Sequence, residues 1–592
     1  MTQTTAIKIT GYAGFLLTLA FLFYFLSRVD ISLIYYWQQA IPLAFGEALQ
    51  YPGDISRLLG ERYLELLTQP ILGGVATALL VLIVFFSLHI IFRKNKGNPL
   101  YFTLLLATLI PYILLFAHYR LPAGLIMMVT TGFLLAAIQS LYSPLNLASR
   151  SVYNFITGMV VYLVAGEAGL LVLLQVLIIQ IVLSKKYPGL ISTLPLFIIP
   201  LLYLLFNISY TARYAYLGSF LTSKYDEIPL VLYFSLFSPL MLLLVFAGLN
   251  FLISRLALKK LFLISGTGIF IVLIILVCST LAGINKQDRN VLRIFQAGFR
   301  NDGETVIRLA GEQSSIDQLL QFEINRALYQ TGHLLDSLFH YPQQFGEEGL
   351  FLERNISSRV ALHISNFYYD MGFANEARHW ATEAQMDLKR HPVVLKNLVM
   401  TYIAAGNNDI ALKYLRILSD SWLHREWSDQ VLEMIENNTT RDNQTIQSFI
   451  NNNPETDVFE ESTNPTRKIM TFYSSNPENK MAFEFLVASY LLQHKIGNVL
   501  IHLPGFRHFG YEKLPRAVEE AVLIYLARTN TEALPMAGFT ISQETIEEFR
   551  DFSELMVSTK NKAEGVKKVS KYRNTYWYYV LISSPYASKK QQ

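Results

Sequence analysis

A single cysteine, Cys278, stands in the whole chain, so neither an internal disulfide nor a cysteine-rich zinc site can be built from it. Charge is scarce too. Asp, Glu, Lys and Arg make up 16% of the residues, against about a quarter in a soluble domain. The net charge is only +4, and no basic run exceeds Arg93-Lys94-Asn95-Lys96, which argues against a nucleic-acid partner. Also missing are a glycine loop ending in Gly-Lys-Ser/Thr, a His-Glu-x-x-His and a Gly-x-Ser-x-Gly. Gly266-Thr267-Gly268 lies inside an apolar run and reads as a helix-packing feature, not a cofactor loop.

The shortage of charge is local. Between Gly11 and Gly283, apolar stretches recur at about the 17 or more residues that cross a bilayer core. Nine spans are expected, at 11–27, 71–92, 101–117, 121–141, 153–165, 169–183, 190–206, 229–254 and 261–283. The first reads as a retained signal anchor. One helix over 153–184 would be too long without strong tilt, and Gly166-Glu167-Ala168-Gly169 predicts a turn that divides it. With the N-terminus inside, the inner loops collect Lys8, Arg93, Lys94, Lys96, Arg150, Lys185, Lys186, Arg255, Lys259 and Lys260. The short outer loops keep fewer: Arg28, Arg57, Arg62, Arg120, Arg213 and Lys224. Positive charge favours the inside. The expected organisation is therefore a multi-pass domain over 1–284 in the inner (cell) membrane, with a long first outside loop over 28–70. An extracytoplasmic domain over 285–592 follows.

Beyond residue 285 the charge density becomes that of a soluble protein. Within 360–420, Tyr368, Gly372 and Ala377 recur 34 residues later as Tyr402, Gly406 and Ala411. In a helix-turn-helix unit the glycine takes the turn, and the alanine lets the second helix approach the first. This period and pattern resemble the tetratricopeptide repeat, which implies a helical solenoid. Degenerate units are expected around Gly332 and in 481–527. The fold class is thus all-α: a transmembrane bundle of about nine spans followed by a helical-repeat domain. Asn437–Asn464, rich in Asn, Thr, Asp and Glu, reads as a loop. The aromatic segment from Tyr572 to Ile582 reads as a packed final helix or strand, or as an aromatic belt resting at the membrane surface.

Candidate chemistry gathers in the first outside loop. Asp54 stands where a helix N-cap belongs, after the turn Tyr51-Pro52-Gly53. Ile55, Leu58, Leu59, Tyr63, Leu66 and Leu67 then follow at helical spacing, with Arg57, Glu61, Arg62 and Glu65 opposite, as in a helix lying in the membrane interface. Asp30, Glu47 and Asp54 are the loop's candidate catalytic carboxylates. Arg120, Arg213, Tyr210 and Glu167 are candidate binding residues: the first two as anion-holding groups among aromatics, Glu167 as a carboxylate between two apolar runs. This layout resembles the C-type membrane glycosyltransferases, with an inside N-terminus, a long acidic first outside loop carrying a surface helix, and an outside C-terminal domain. The resemblance implies a carboxylate acting as base, or holding a divalent metal, on a lipid-linked sugar. The family's adjacent acidic pair is replaced here by scattered Asp30, Glu47 and Asp54. The chain as a whole resembles bacterial multi-span membrane proteins with a helical-repeat tail, which implies no activity.

Three functions follow as expectations. The first is a membrane protein whose outside repeat domain binds an envelope protein or polymer. The second is a lipid-linked-sugar glycosyltransferase with its site in the first outside loop. The third is a transporter or flippase, although charged residues within the spans are few.

Overall fold

The structure, a computed structural model, describes residues 28–42, 50–92, 101–142, 146–183, 187–206, 286–313, 315–352, 357–443, 464–530, 536–558 and 562–586, with shorter pieces within 16–26, 211–216, 232–240 and 446–450. The described residues are helical or irregular, with no strand among them. They form two compact units, Met1–Arg289 and Asn290–Gln592.

Among the described residues of the first unit, three helices are long and apolar enough to cross a membrane: Pro70–Ile91, Ala123–Ser140 and Leu147–Ile181. This does not establish the expected nine. The interval 101–117 is a 14-residue helix, Tyr101–Leu114, that contains Pro111 and ends in a 3-10 turn, and 190–206 runs as 3-10 through Pro195 before Ile198–Phe206. Proline removes a backbone donor and clashes with the preceding turn, so neither stretch is a continuous α-helix. Interval 261–283 lies outside the described residues, as do most of 11–27 and 229–254.

Pro70–Ile91 is apolar all round. Ile71, Leu72, Val75, Leu79 and Phe86 are exposed, while Thr77, Val81, Val84, Phe85 and Leu88 are buried, as suits a helix with protein on one side and lipid on the other. Several polar side chains within these helices bond to one another or to neighbouring carbonyls. Tyr112 Oη lies 2.6 Å from Thr130 Oγ1, Gln139 Nε2 donates to Asn154 Oδ1 at 3.0 Å, and Asn154 Nδ2 donates to the Ser192 carbonyl at 3.1 Å.

The third long helix is not continuous. Gly166 has φ 63° and ψ −157°, outside any helical conformation. A Cβ placed on Gly169 would lie 3.1 Å from Val161 Cγ1, although residues eight apart stand about 12 Å apart along an unbroken helix. Gly189 touches both Arg150 and Ile181, which lie toward opposite ends of the segment. The chain therefore reverses at Gly166, where the glycines of the sequence placed a turn, and two arms run back along each other.

The second unit is a succession of short helices, several of them closed by the same kind of turn. Ser358–Met371 and Ala374–Leu388 form one hairpin, and Pro392–Ala404 and Asn408–Ser419 form the next. At the first turn Gly372 has φ 85° and Phe373 N–H donates to the Tyr368 carbonyl at 2.9 Å; at the second, Gly406 has φ 72° and Asn407 N–H donates to the Tyr402 carbonyl at 2.8 Å. This six-to-one bond closes a helix whose last residue is left-handed, the reason glycine recurs there. Gly332 with His333, and Gly510 with Tyr511, repeat it. Ala377 and Ala411 are fully buried, and the Ser365 hydroxyl donates to the Ala377 carbonyl at 2.9 Å. Leucine at either alanine is expected to overpack the hairpin and lower stability by about 1–3 kcal/mol. Urea unfolding of the two variants checks this, and parental midpoints for both would contradict it.

The aromatic segment packs. Tyr576 and Trp577 are fully buried, with Tyr576 and Tyr579 against Phe339 and Trp577 against Phe549 and Phe552. Part of the stretch read as a loop also packs: Ile446 and Phe449 are buried, the latter stacked on Tyr369 at 4.6 Å.

Candidate functional site

The Asp54–Leu66 helix meets its neighbours through its smallest residues. Ser56, Gly60, Tyr63 and Leu64 are buried with Leu67, whereas Leu59 is half exposed. The apolar face expected for an interfacial helix is thus rotated from the face that docks. Glu65, expected opposite it, is buried and paired with Arg62 at 3.0 Å. The reason is close approach. A Cβ on Gly60 would stand 2.6 Å from the Gly124 amide nitrogen, so the backbones touch where leucines would hold them apart.

The same helix begins at the break of the long one. Gly53 N–H donates to the Leu163 carbonyl at 3.0 Å, and the Ser56 hydroxyl donates to the Val164 carbonyl at 2.7 Å. Carbonyls in the last turn before a helix stops have no partner further along. The loop supplies the donors instead. Gly53, at φ 85°, and Gly166 lie backbone to backbone, with a Cβ on Gly53 falling 3.2 Å from Gly166 Cα.

Asp54 sits at this junction but does not cap its own helix. Its Oδ2 accepts from the Gln50 and Tyr51 N–H groups at 2.9 and 2.6 Å, and its Oδ1 pairs with Arg57 at 3.2 Å. Gly53 holds the N-cap position instead, and the carboxylate reaches back to fasten the preceding turn. Tyr203 Oη adds a bond to the Gln50 carbonyl at 3.1 Å. Glu167, the neighbour of Gly166, is buried. Asp54 and Glu167 are thus the chain neighbours of the two touching glycines.

The other candidates are placed elsewhere. Asp30 accepts from the Ser32 hydroxyl at 2.6 Å, at the start of the Ser32–Gln38 helix. Arg120 pairs with Asp288 at 2.7 Å and lies over the Trp37 ring at 4.7 Å. Its loop is pinned by Gln38, whose amide donates to the Tyr119 and Leu121 carbonyls and accepts from Ala123 N–H. Glu47, Tyr210 and Arg213 lie outside the described residues. Among the described residues no group of three or more His, Cys, Asp or Glu side chains could hold a metal ion.

The second unit holds a buried polar cluster that its sequence did not announce. Arg326, only 2% exposed, donates to Asp370 Oδ2, Glu323 Oε2, Asn301 Oδ1 and the Gly298 carbonyl. Glu323 Oε1 also lies 2.7 Å from His363 Nδ1. Burial pushes the Glu323 carboxyl up, and Arg326 and His363 together outweigh it, holding the group below the usual carboxylate range. A carboxylate on an imidazole is the geometry that orients a general base. Here the imidazole is buried, stacked on Phe299 at 4.7 Å and edged by Phe295 at 5.1 Å. The available signal was the Glu323–Arg326 spacing, three residues apart on one helix face.

These features define an all-helical protein with bilayer-length helices in its first unit and a chain of helical hairpins in its second. It belongs to a family of unknown function, DUF6057, which matches residues 5–583. Comparison with curated proteins and with solved structures finds no match in either.

Proposed function

We propose that the protein is a multi-pass inner-membrane scaffold whose second unit, a tetratricopeptide-like array outside the cytoplasm, binds a protein or polymer of the envelope. The observation that carries this reading is the pair of hairpins set 34 residues apart, each with the same turn glycine and the same buried alanine. Stacked helical repeats present extended surfaces suited to binding and need no reactive group. The nine-span topology, with its N-terminus inside, belongs to this proposal and rests on the basic residues of the inner loops. The state of the loop carboxylates supports it further. Asp54 is occupied in fastening a turn, and Asp30 accepts from a neighbouring hydroxyl.

Complementation of the envelope defect of a deletion strain tests the reading, with membrane abundance as the control. Glu47→Gln and Asp30→Asn are expected to restore function fully. Charges introduced at exposed apolar residues of the hairpin region, Met386→Glu with Trp422→Asp, are expected to abolish it at unchanged abundance. A loss of about 100-fold or more from Glu47→Gln alone, in protein that still inserts and folds, would overturn the scaffold in favour of lipid-linked sugar transfer.

A further inference from the structure

We infer that the contact around His391, where the helix Pro392–Ala404 packs near Phe299 and the helix Ser358–Met371, is an acid-sensitive latch that opens the hairpin array when His391 takes up a proton. The latch goes beyond the scaffold reading and does not depend on what the array binds.

The geometry is that of an imidazole enclosed without a counter-ion. His391 precedes Pro392 and is 2% exposed, and its Nδ1 has no hydrogen-bond partner. The Phe299 ring bridges the two buried histidines, 4.7 Å from His363 and 6.5 Å from His391. The charged and titratable groups acting on His391 are Arg359 and His363, both on Ser358–Met371, and His424, just before the helix Arg425–Glu436. All are basic. The nearby carboxylates are committed: Glu323 to Arg326 and His363, and Asp420 to Arg390 at 2.6 Å. Lys396 lies over the Trp427 ring at 4.7 Å and repels a second proton on His424. A proton on His391 would thus be a buried charge with cationic neighbours, the arrangement that a packed interior tolerates least.

Burial first, then Arg359, His424 and His363, holds His391 down at about 3. Burial, then Lys396, holds His424 at about 4. Once the contact opens, the His391 ring regains an ordinary value near 6.5. Between the two values the open form binds more protons than the closed one. Closure is therefore fully stable above about pH 6.5 and weakens steadily as pH falls toward the closed-state values. Glu323, held below the usual carboxylate range, loses its contribution only at lower pH. The first step on acidification belongs to the His391 imidazole.

Hydrogen exchange on the full chain in lipid nanodiscs, corrected for intrinsic rates, tests the latch at pH 7.5 and 5.5. Protection of Pro392–Ala404 is expected to fall by about tenfold in the parent and by no more than about twofold in His391→Phe, whose ring fills the same space and does not titrate. The core helix Lys480–Leu492 is the control and is expected to keep its protection in both. Where the phenylalanine variant does not fold, His391→Gln takes its place. A parent whose Pro392–Ala404 protection is unchanged at pH 5.5 overturns the latch, and so does a non-titrating variant that loses as much protection as the parent.

Discussion

Replacing Gly60 by leucine is expected to leave little correctly folded protein in the membrane, while replacing Gly74 by leucine changes nothing measurable. The two glycines differ in what a side chain would meet. At Gly60 a Cβ runs into the Gly124 amide nitrogen and Cα at 2.6 and 2.7 Å and the Ala123 carbonyl carbon at 2.8 Å; at Gly74 nothing lies within 4 Å. Backbone cannot swing aside as a flexible side chain can, so the cost reaches about 3 kcal/mol or more, a large share of the about 5–15 kcal/mol that holds a protein folded. Detaching the Asp54–Leu66 helix also strips the Leu163 and Val164 carbonyls of their donors, Gly53 N–H and the Ser56 hydroxyl. The yield of monodisperse protein in detergent and its melting temperature report the effect. A Gly60→Leu protein that melts with the parent would show that this contact is not what seats the helix.

The second large effect is expected at Arg326. Arg326→Met leaves Glu323 and Asp370 without the guanidinium that joins them, and breaking a buried pair in this way costs about 3–5 kcal/mol. Adding Glu323→Gln should recover part of the loss, because one of the orphaned carboxylates is then gone and the two sites are coupled. Arg390→Met makes the contrast. Its partner Asp420 is 43% exposed, so solvent screening leaves a cost of about 0–1 kcal/mol. Urea unfolding of the full chain followed by tryptophan fluorescence separates the three. An Arg326→Met midpoint as mild as that of Arg390→Met would remove the buried cluster from the list of what holds the second unit together.

Features with a length or a period could be read in the sequence, and features that depend on close approach could not. Apolar runs long enough for a bilayer identify Pro70–Ile91 and Ala123–Ser140, and Gly166 with Gly169 marks the reversal between them and the 3-10 segment that follows. The period linking Gly372 to Gly406 marks the hairpins because each turn needs a left-handed residue. The docking face of Asp54–Leu66 escaped, since hydrophobic spacing points to Leu58 and Leu59 while the contact is made by Ser56 and Gly60, residues with almost no hydrophobic signal. Asp54 stands at the helix start that its sequence position indicates but is not the cap, because the left-handed Gly53 takes that position and the carboxylate reaches backward. Glu65 reads as a charge opposite the apolar face, yet it is buried and paired with Arg62 three residues away.

The contacts of Phe339 with Tyr576 and Tyr579 put a clock on the second unit. Each hairpin can close as soon as its own turn has been made, since the Gly372 and Gly406 bonds join residues only five apart. Phe339 cannot. Its aromatic partners are synthesised more than two hundred residues later, which at about 5–20 residues per second is a wait on the order of 10–50 s. Until then the Leu334–His340 turn lacks the rings that cover it, and Asp336, whose carboxylate later accepts from Arg516 N–H, lacks that partner too. A nascent chain therefore carries formed hairpins beside an uncovered apolar face while the rest of the second unit is made. A chain stopped before Tyr572 carries that face permanently, so a truncation that leaves every hairpin intact still yields a sticky protein.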